Sequence, residues 1–505
     1  MRALTAEQTR LADARGMEAR GETALMRAAG ERLAEAIARY APGDGPAIAF
    51  AGPGGNGGDA FAALALLPAS RRRIVYAMDA RTPSPARADA EARARASGVD
   101  VRAFHVDAGV LAGAALAIDG LLGTGARSEP GDAMLPAIAA LNVLPRERVL
   151  AIDVPTGVDA TTGRASVHAV RAGTTVTLGA PKIGLLLEGA RAFVGTLLVG
   201  DIGLHDEIAA LDGPRYEVMS PGEFLALLPV RPIDSDKRAS GAPLVVAGSK
   251  QFPGAAVLCA RGAARAGAGY VTLATTEEAA AAIRTHLVEQ VVVAYDEHDP
   301  KRAVEDLIDL RGHSGSVALG PGLGLSDDAA WISREFVVRL ELPFVVDASA
   351  LTHFAKRVEL LRGKRCVVTP HASEFGRLSG FGTVKPDERI AKLREFTARS
   401  GVTTLLKGLA TLVDDGTTMH VNPTGTNALA TAGTGDVLSG IIATLLAQGL
   451  SPVDAARAGA YWHGLAGRHA LAQRHAGVMA GDVAEALGPA LAQVARTPGP
   501  IVRLF

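Results

Sequence analysis

Lysine is scarce in this chain. Only nine of the 52 basic side chains are lysine and none precedes Lys182, so a lysine at a strand end is a candidate for chemistry. Cysteine is scarcer still: Cys259 and Cys366 each sit inside an apolar stretch, which excludes a disulfide-built scaffold and a zinc site of paired cysteines and leaves two buried reduced thiols as the expectation. Long hydrophobic runs are missing as well. Stretches such as Val110 to Ile118 fall far short of the ~20 residues a membrane helix needs, so no membrane partner is expected. Charge of one sign is not in excess, with 52 basic against 53 acidic side chains, which argues against a polyanion such as nucleic acid as partner. The opening Met1-Arg2-Ala3-Leu4-Thr5-Ala6-Glu7 shows no readable signal or transit peptide, and a cytoplasmic location is expected.

A chain of 505 residues exceeds the ~250 to 300 residues at which one core stops growing, so at least two domains are required. The first forty residues carry Leu25, Met26, Ala29, Leu33 and Ile37 at helical spacing, predicting amphipathic helices that pack or pair chains rather than catalyse. From Pro46 the pattern changes to short apolar runs: Ala47 to Ala51, Ile74 to Ala77, Val99 to Phe104, Ala115 to Asp119, Val149 to Asp153 and Thr174 to Leu178. Helical segments alternate with them, as in a doubly wound parallel sheet. A second series follows, with strands expected at Leu244 to Ala247, Tyr270 to Ala274, Val317 to Leu319, Phe344 to Asp347, Cys366 to Thr369 and Thr403 to Leu406. The boundary is placed so that residues 1–212 form one domain, 213–230 a linker and 231–505 the other.

Ligands of such sheets bind beyond the carboxyl ends of the strands, and four segments of the first half lie there. Ala51-Gly52-Pro53-Gly54-Gly55-Asn56-Gly57-Gly58-Asp59 alone reads as an ordinary tight strand-to-helix turn, or as a loop whose N–H groups approach a phosphate. Asp119-Gly120-Leu121-Leu122-Gly123-Thr124-Gly125 and Asp153-Val154-Pro155-Thr156-Gly157 each add an acid followed by glycines or hydroxyls, so three strand ends can converge on one pocket. Asn56, Asp119 and Thr156 are hard oxygen donors suited to an alkali or alkaline-earth cation, or else a hydrogen-bonded polar cluster. Gly179-Ala180-Pro181-Lys182 puts the first lysine at a neighbouring strand end, beside Asp153.

In this order the four segments, with the opening Ala24-Leu25-Met26-Arg27-Ala28-Ala29-Gly30, resemble the NAD(P)HX epimerase domain, also called the YjeF N-terminal domain. The resemblance implies a Rossmann-like doubly wound sheet. It implies that Gly55, Asn56, Gly57, Gly58 and Asp59, with Gly123, Thr124, Gly125, Ala126, Arg127, Ser128 and Glu129, hold the hydrated dinucleotide, and that Asp153 binds it. Asn56, Asp119 and Thr156 would ligate potassium. Inversion at C6 of the hydrated nicotinamide needs a proton donor or acceptor, for which Asp153 and Lys182 are the candidates. Gly55 stands where the family usually has asparagine, Ala60 where it has glycine, and Thr156 where it has serine.

The second half carries Ala430-Thr431-Ala432-Gly433-Thr434-Gly435-Asp436-Val437. Glycines ahead of a helix offer N–H groups and a dipole to a phosphate, and Asp436 at the helix start is either a capping residue or a base for a substrate hydroxyl. The Gly-Thr-Gly-Asp context matches the anion hole and base of ribokinase-like kinases. Gly320-Pro321-Gly322-Leu323-Gly324, Asp347-Ala348, Thr369-Pro370-His371, Lys407-Gly408-Leu409-Ala410-Thr411 and Asn422-Pro423-Thr424-Gly425 accompany it. Together they resemble the ADP-dependent NAD(P)HX dehydratase, the YjeF C-terminal domain, a ribokinase-like α/β fold. That resemblance implies that Ala255, Gly322 or Gly324, His371 and Asp436 contact NADHX or NADPHX, and that Lys407, Gly408, Leu409, Ala410, Thr411 and Gly435 bind ADP, with magnesium accompanying the nucleotide. A homo-oligomer is implied as well. Asp236 departs from the histidine usual before Lys237. The competing reading is a ribokinase-like small-molecule kinase fused to a non-catalytic nucleotide-binding module, which the Gly-Thr-Gly-Asp motif alone permits.

Overall fold

In the computed structural model the chain is described from Met1 to Phe505 apart from residues 42, 80–81, 108, 126–128, 232 and 495–499. It divides into two compact units. The first comprises residues 1–216 and takes in the C-terminal strand Ile501–Arg503; the second begins at Glu217.

The first unit is built on an eight-stranded sheet. In spatial order its strands are Ile501–Arg503, Thr196–Gly200, Thr174–Leu178, Val149–Ile152, Leu116–Gly120, Ala47–Ala51, Arg73–Ala77 and Asp100–Ala103. All pair in parallel except the C-terminal strand, which runs antiparallel to Thr196–Gly200. Ala47–Ala51 is buried along its whole length, as expected of a central parallel strand covered on both faces. The helix Glu22–Tyr40 lays Leu25, Met26, Ala29, Leu33 and Ile37 into the core at the spacing of one helical face. Ahead of it, Leu4 bridges to Lys182, and a capping box between Thr5 and Gln8 starts the helix Ala6–Arg20.

The sheet of the second unit runs through Met419–Val421, Leu412–Asp414, Thr403–Leu406, Cys366–Val368, Phe344–Val346, Ser316–Leu319, Pro243–Val246, Thr272–Thr276 and Val291–Tyr295. The first three pair antiparallel and the rest parallel. Across it lies the apolar helix Thr434–Ala447, so close to the helix Pro253–Arg265 that a Cβ on Gly440 would stand 2.1 Å from the Cys259 carbonyl oxygen. Both units are therefore α/β with mostly parallel strands, and both cysteines are buried and unpaired.

Two features depart from the expected boundaries. The segment 213–230 is not a bare linker: it holds the strand Tyr216–Val218 and the helix Pro221–Leu227, whose Phe224 is fully buried against Tyr461, at 4.7 Å between ring centroids, in the core of the second unit. The chain also does not end in the second unit, because Ile501 supplies a buried side chain and a ladder partner to the first. Among the described residues, no helix is long and apolar enough to cross a membrane.

Candidate active sites

In the first unit the strand ends converge on one cavity of about 500 Å³. Gly54 caps the helix Gly55–Leu66, and Gly57 is required just inside it, since a Cβ there would meet the Gly52 carbonyl oxygen at 2.1 Å. Gly55, Asn56, Asp59, Gly123, Thr124 and Gly125 line the cavity with Asp153 and Lys182. Gly57 and Gly58 are buried within the helix and do not line it. Glu129 is exposed and accepts a hydrogen bond of 2.8 Å from the Ser166 hydroxyl. Ala126, Arg127 and Ser128 lie outside the described residues.

Asp153 sits immediately after its strand with φ +64, a strained setting for a residue with a side chain. The strain is held by a full set of donors. Its Oδ1 accepts from Lys182 Nζ, from the Thr177 hydroxyl at 3.3 Å and from the Leu178 N–H at 3.3 Å; its Oδ2 accepts from the Thr124 hydroxyl and, at 3.3 Å, the Thr124 N–H. Burial alone would raise this carboxyl, but the charge of Lys182 and the hydrogen bonds from Lys182, Thr124 and Leu178 outweigh it and hold it below the usual carboxylate range. Lys182 is 1% exposed and donates also to the Leu178 carbonyl at 2.8 Å.

The expected cation ligands also meet. Thr156 donates its hydroxyl to Asp119 at 2.7 Å and its N–H at 2.8 Å, while the Leu121 N–H adds a third donor at 3.2 Å. Asn56 donates its amide to the carbonyls of Leu122 and Ile152. Asp119 is fully buried, and burial pushes its carboxyl up to about 6 against these hydrogen bonds. Among the described residues no cluster of three or more His, Cys, Asp or Glu side chains is arranged to hold a metal ion.

The opening helices do more than pack, contrary to their sequence-based reading. Arg10, Asp13 and Met17 of Ala6–Arg20 and Glu22 of the next helix line the same cavity. Their spacing of three and four residues is one helical face, a signal that was available in the sequence.

In the second unit, Gly433 takes φ +89 and turns the chain into the helix Thr434–Ala447. Asp436 lies in its first turn, half-buried, with Gly435 beside it; a Cβ built on Gly435 would stand 3.2 Å from Lys407 Nζ. Lys407 donates to Asp347 at 2.7 Å, and the Ser439 hydroxyl donates to the other Asp347 oxygen at 2.7 Å. Asp347 thereby ties the lysine to the helix of Asp436. Burial and the charges of Asp347 and Glu374 push the Asp436 carboxyl up to about 7, with Lys407 opposing them. Lys407 itself is lifted: burial would lower it, but Asp347 and Glu374 prevail.

His371 is exposed; its ring accepts from the Ser373 N–H at 3.2 Å, and its other nitrogen lies 3.4 Å from Glu374. Glu374 in turn is 4.0 Å from Lys407, which links His371 to the group around Asp436. Ala255 and Gly322 are brought together, a Cβ on Gly322 standing 2.9 Å from that of Ala255. Gly324 accepts at its carbonyl from His353 at 3.0 Å. Thr411 closes the Lys407 to Thr411 turn by donating to the Gly408 carbonyl at 3.0 Å; Ala410 is buried, Gly408 exposed and Leu409 between the two. Asp236 is exposed and caps a turn through the N–H groups of Arg238 and Ala239. Sequence reasoning passed over Asp347 and Glu374 as site residues, although His371 and Glu374 stand at capping-box spacing.

Comparison with known proteins bears on both sites. Residues 243–488 match the family model of NAD(P)H-hydrate dehydratase, and residues 22–184 match that of the YjeF-related protein N-terminus. The chain is 36% identical over 480 residues to the bifunctional NAD(P)H-hydrate repair enzyme of Pyrobaculum aerophilum, covering 92% of each chain. It is 34% identical over 495 residues to that of Moorella thermoacetica, covering 92% of this chain and 91% of the other. The chain belongs to the bifunctional NAD(P)H-hydrate repair family. A solved structure of the ADP/ATP-dependent NAD(P)H-hydrate dehydratase of Bacillus subtilis is 28% identical, with TM-score 0.49, over 57% of this chain and all of that one. Membership of the repair family sets aside the reading as a small-molecule kinase joined to a non-catalytic module.

Proposed function

We propose that the first unit interconverts the R and S epimers of NADHX and NADPHX and that the second dehydrates the S epimer at the expense of ADP. The observation that carries this reading is the pairing, in one chain, of an Asp153–Lys182 cavity with an Asp436 base at a glycine-initiated helix.

In the first cavity Gly55, Asn56, Asp59 and Gly123 to Gly125 hold the dinucleotide. Asp153, kept ionised by Lys182, faces the hydroxylated carbon and stabilises positive charge developing there. Asn56, Asp119 and Thr156 fit a monovalent cation. Asp119 is a fully buried carboxylate with no cationic side chain bonded to it among the described residues, and the Asn56 carbonyl oxygen accepts no hydrogen bond there. Potassium, when bound, supplies a fixed positive charge beside the glycine loop.

In the second unit Asp436 takes the proton from the C6 hydroxyl, whose oxygen attacks the terminal phosphoryl group of ADP while AMP leaves. N–H groups at Gly433 to Gly435 stabilise the charge in transfer. Phosphate is a better leaving group than hydroxide, so the ring nitrogen expels it, and loss of the C5 proton restores the dihydronicotinamide. The products are NAD(P)H, AMP and phosphate. Lys407 to Thr411 and Gly435 hold the nucleotide, and Ala255, Gly322 or Gly324 and His371 the hydrated ring. Magnesium, when bound with the nucleotide, would offset phosphate charge.

The enzyme works in the cytoplasm as a homo-oligomer on this reading. Mixing the purified protein with S-NADHX and either ADP or ATP tests it. Dihydronicotinamide absorbance should recover with stoichiometric AMP from ADP; no recovery with either nucleotide would sink the dehydratase assignment.

A further inference from the structure

We propose that Asp13, on the opening helix, is a catalytic residue of the epimerase site, the carboxyl that gives and retakes the proton when C6 of the hydrated ring inverts. The assignment rests on reading the 500 Å³ cavity as that site.

Inversion at C6 breaks and remakes one bond. The ring nitrogen lone pair forms N1=C6 as the C6–O bond breaks, a proton from an acid leaving with the hydroxyl as water. Water then adds to the opposite face and returns a proton to the base so formed. Atoms and charge balance without any co-reactant, but the step needs a carboxyl that is free to change its proton.

The Asp153–Lys182 pair is already committed to contacts of its own. Asp153 already accepts from five donors, and Lys182 is spent on Asp153 and the Leu178 carbonyl. Glu22 is engaged by the Ser84 hydroxyl at 2.7 Å. Asp13 and Asp59 differ: both are half-buried, both line the cavity, and neither has a hydrogen-bond partner among the described residues.

Local folding places Asp13 there. Leu4 pairs with the Lys182 segment through Leu4 N–H to Pro181 and Ile183 N–H to Leu4, both near 2.9 Å and 2.8 Å respectively. The Thr5 capping box then starts the helix, and Gln8, Thr9, Ala12 and Gly16 bury its inner face, leaving Asp13 at the edge facing the cavity with Arg10 and Met17.

The electrostatics agree with the geometry. Burial pushes Asp13 up to about 6, with Lys182 pulling down and Asp153 pushing up. Burial, Asp153 and Asp13 push Asp59 further still, with Lys182 opposing them. Asp13 therefore exchanges its proton near neutrality. Arg10, Glu22, Asp59, Asp153 and Lys182 are the charged groups sharing the cavity.

The test uses full-length Asp13→Asn with R-NADHX, potassium and excess ADP, reading NADH recovery above the uncatalysed rate. We expect kcat for the R epimer to fall about 100-fold with KM little changed, and the pH limb near 6 to disappear. Recovery from S-NADHX should be unchanged, showing a folded chain, and Asp13→Glu should restore part of the rate. An Asp13→Asn protein that keeps its kcat and pH limb overturns the assignment, as does a loss confined to KM. A wild-type protein that fails to accelerate loss of the R epimer would instead sink the reading of the cavity, and Asp13 with it.

Discussion

Each unit sets a lysine on an aspartate at the end of a strand and leaves another carboxyl outside the pair. In the first, Lys182 clasps Asp153, and Asp13 and Asp59 stand free; in the second, Lys407 clasps Asp347, and Asp436 stands free. The clasped carboxylate is the anchor, and burial raises the free carboxyls, Asp13 to about 6 and Asp436 to about 7. The units differ in where the backbone strain falls. It lies on Asp153 itself, with φ +64, but beyond Asp347, on Ala348 with φ +50. The first unit thus brings its clasped residue into the cavity, whereas the second uses its clasped residue to hold the lysine against the helix of Asp436.

Removing the free carboxyl of the second unit should have the largest effect. Asp436→Asn is expected to slow dehydration of S-NADHX about 10²- to 10⁴-fold, read from NADH absorbance, with epimerisation untouched. A rate within tenfold of wild type would break the parallel.

Removing the anchors should separate the units by stability. Asp153→Asn removes the carboxylate bonded to the buried Lys182 and should cost about 3–5 kcal/mol in the unfolding of the first unit, seen by calorimetry. Asp347→Asn should cost less, because the Lys407 side chain is 21% exposed and has Glu374 at 4.0 Å.

The pH profile sharpens the comparison further. Asp436 acts ionised, so dehydration should rise with pH and level off above about 7. Glu374→Gln removes a negative charge that disfavours ionisation, and should move that limb toward lower pH by roughly half a unit.

Gly55→Asn should have the smallest effect. A Cβ at Gly55 meets nothing within 4 Å, so the side chain has room to reach substrate, and KM for the R epimer should fall about threefold, the worth of one modest hydrogen bond.

Much of this was legible in the sequence, for physical reasons. Central parallel strands read as apolar runs because both faces are covered, which is why Ala47–Ala51 was expected at its observed bounds. The motifs at strand ends were legible because backbone approach demands glycine there. Asp13 was passed over, because the apolar positions of Glu22–Tyr40 drew the reading of the first forty residues toward packing, although its spacing from Arg10 and Met17 was there to be read. Phe224 was lost inside a stretch that looked like a linker, and the three residues Ile501–Arg503 are too short to carry a strand pattern. Glu374 was hidden by a local role, because it caps its own helix through the His371 N–H at 2.8 Å.

The most direct test of two separable sites on one chain is to give Asp436→Asn and Asp153→Asn proteins each epimer separately, with ADP, magnesium and potassium. The account predicts that Asp436→Asn still converts R-NADHX to S-NADHX without forming NADH, and that Asp153→Asn forms NADH from the S epimer at the wild-type rate but from the R epimer only at the uncatalysed rate. Loss of both activities in either folded variant would contradict it.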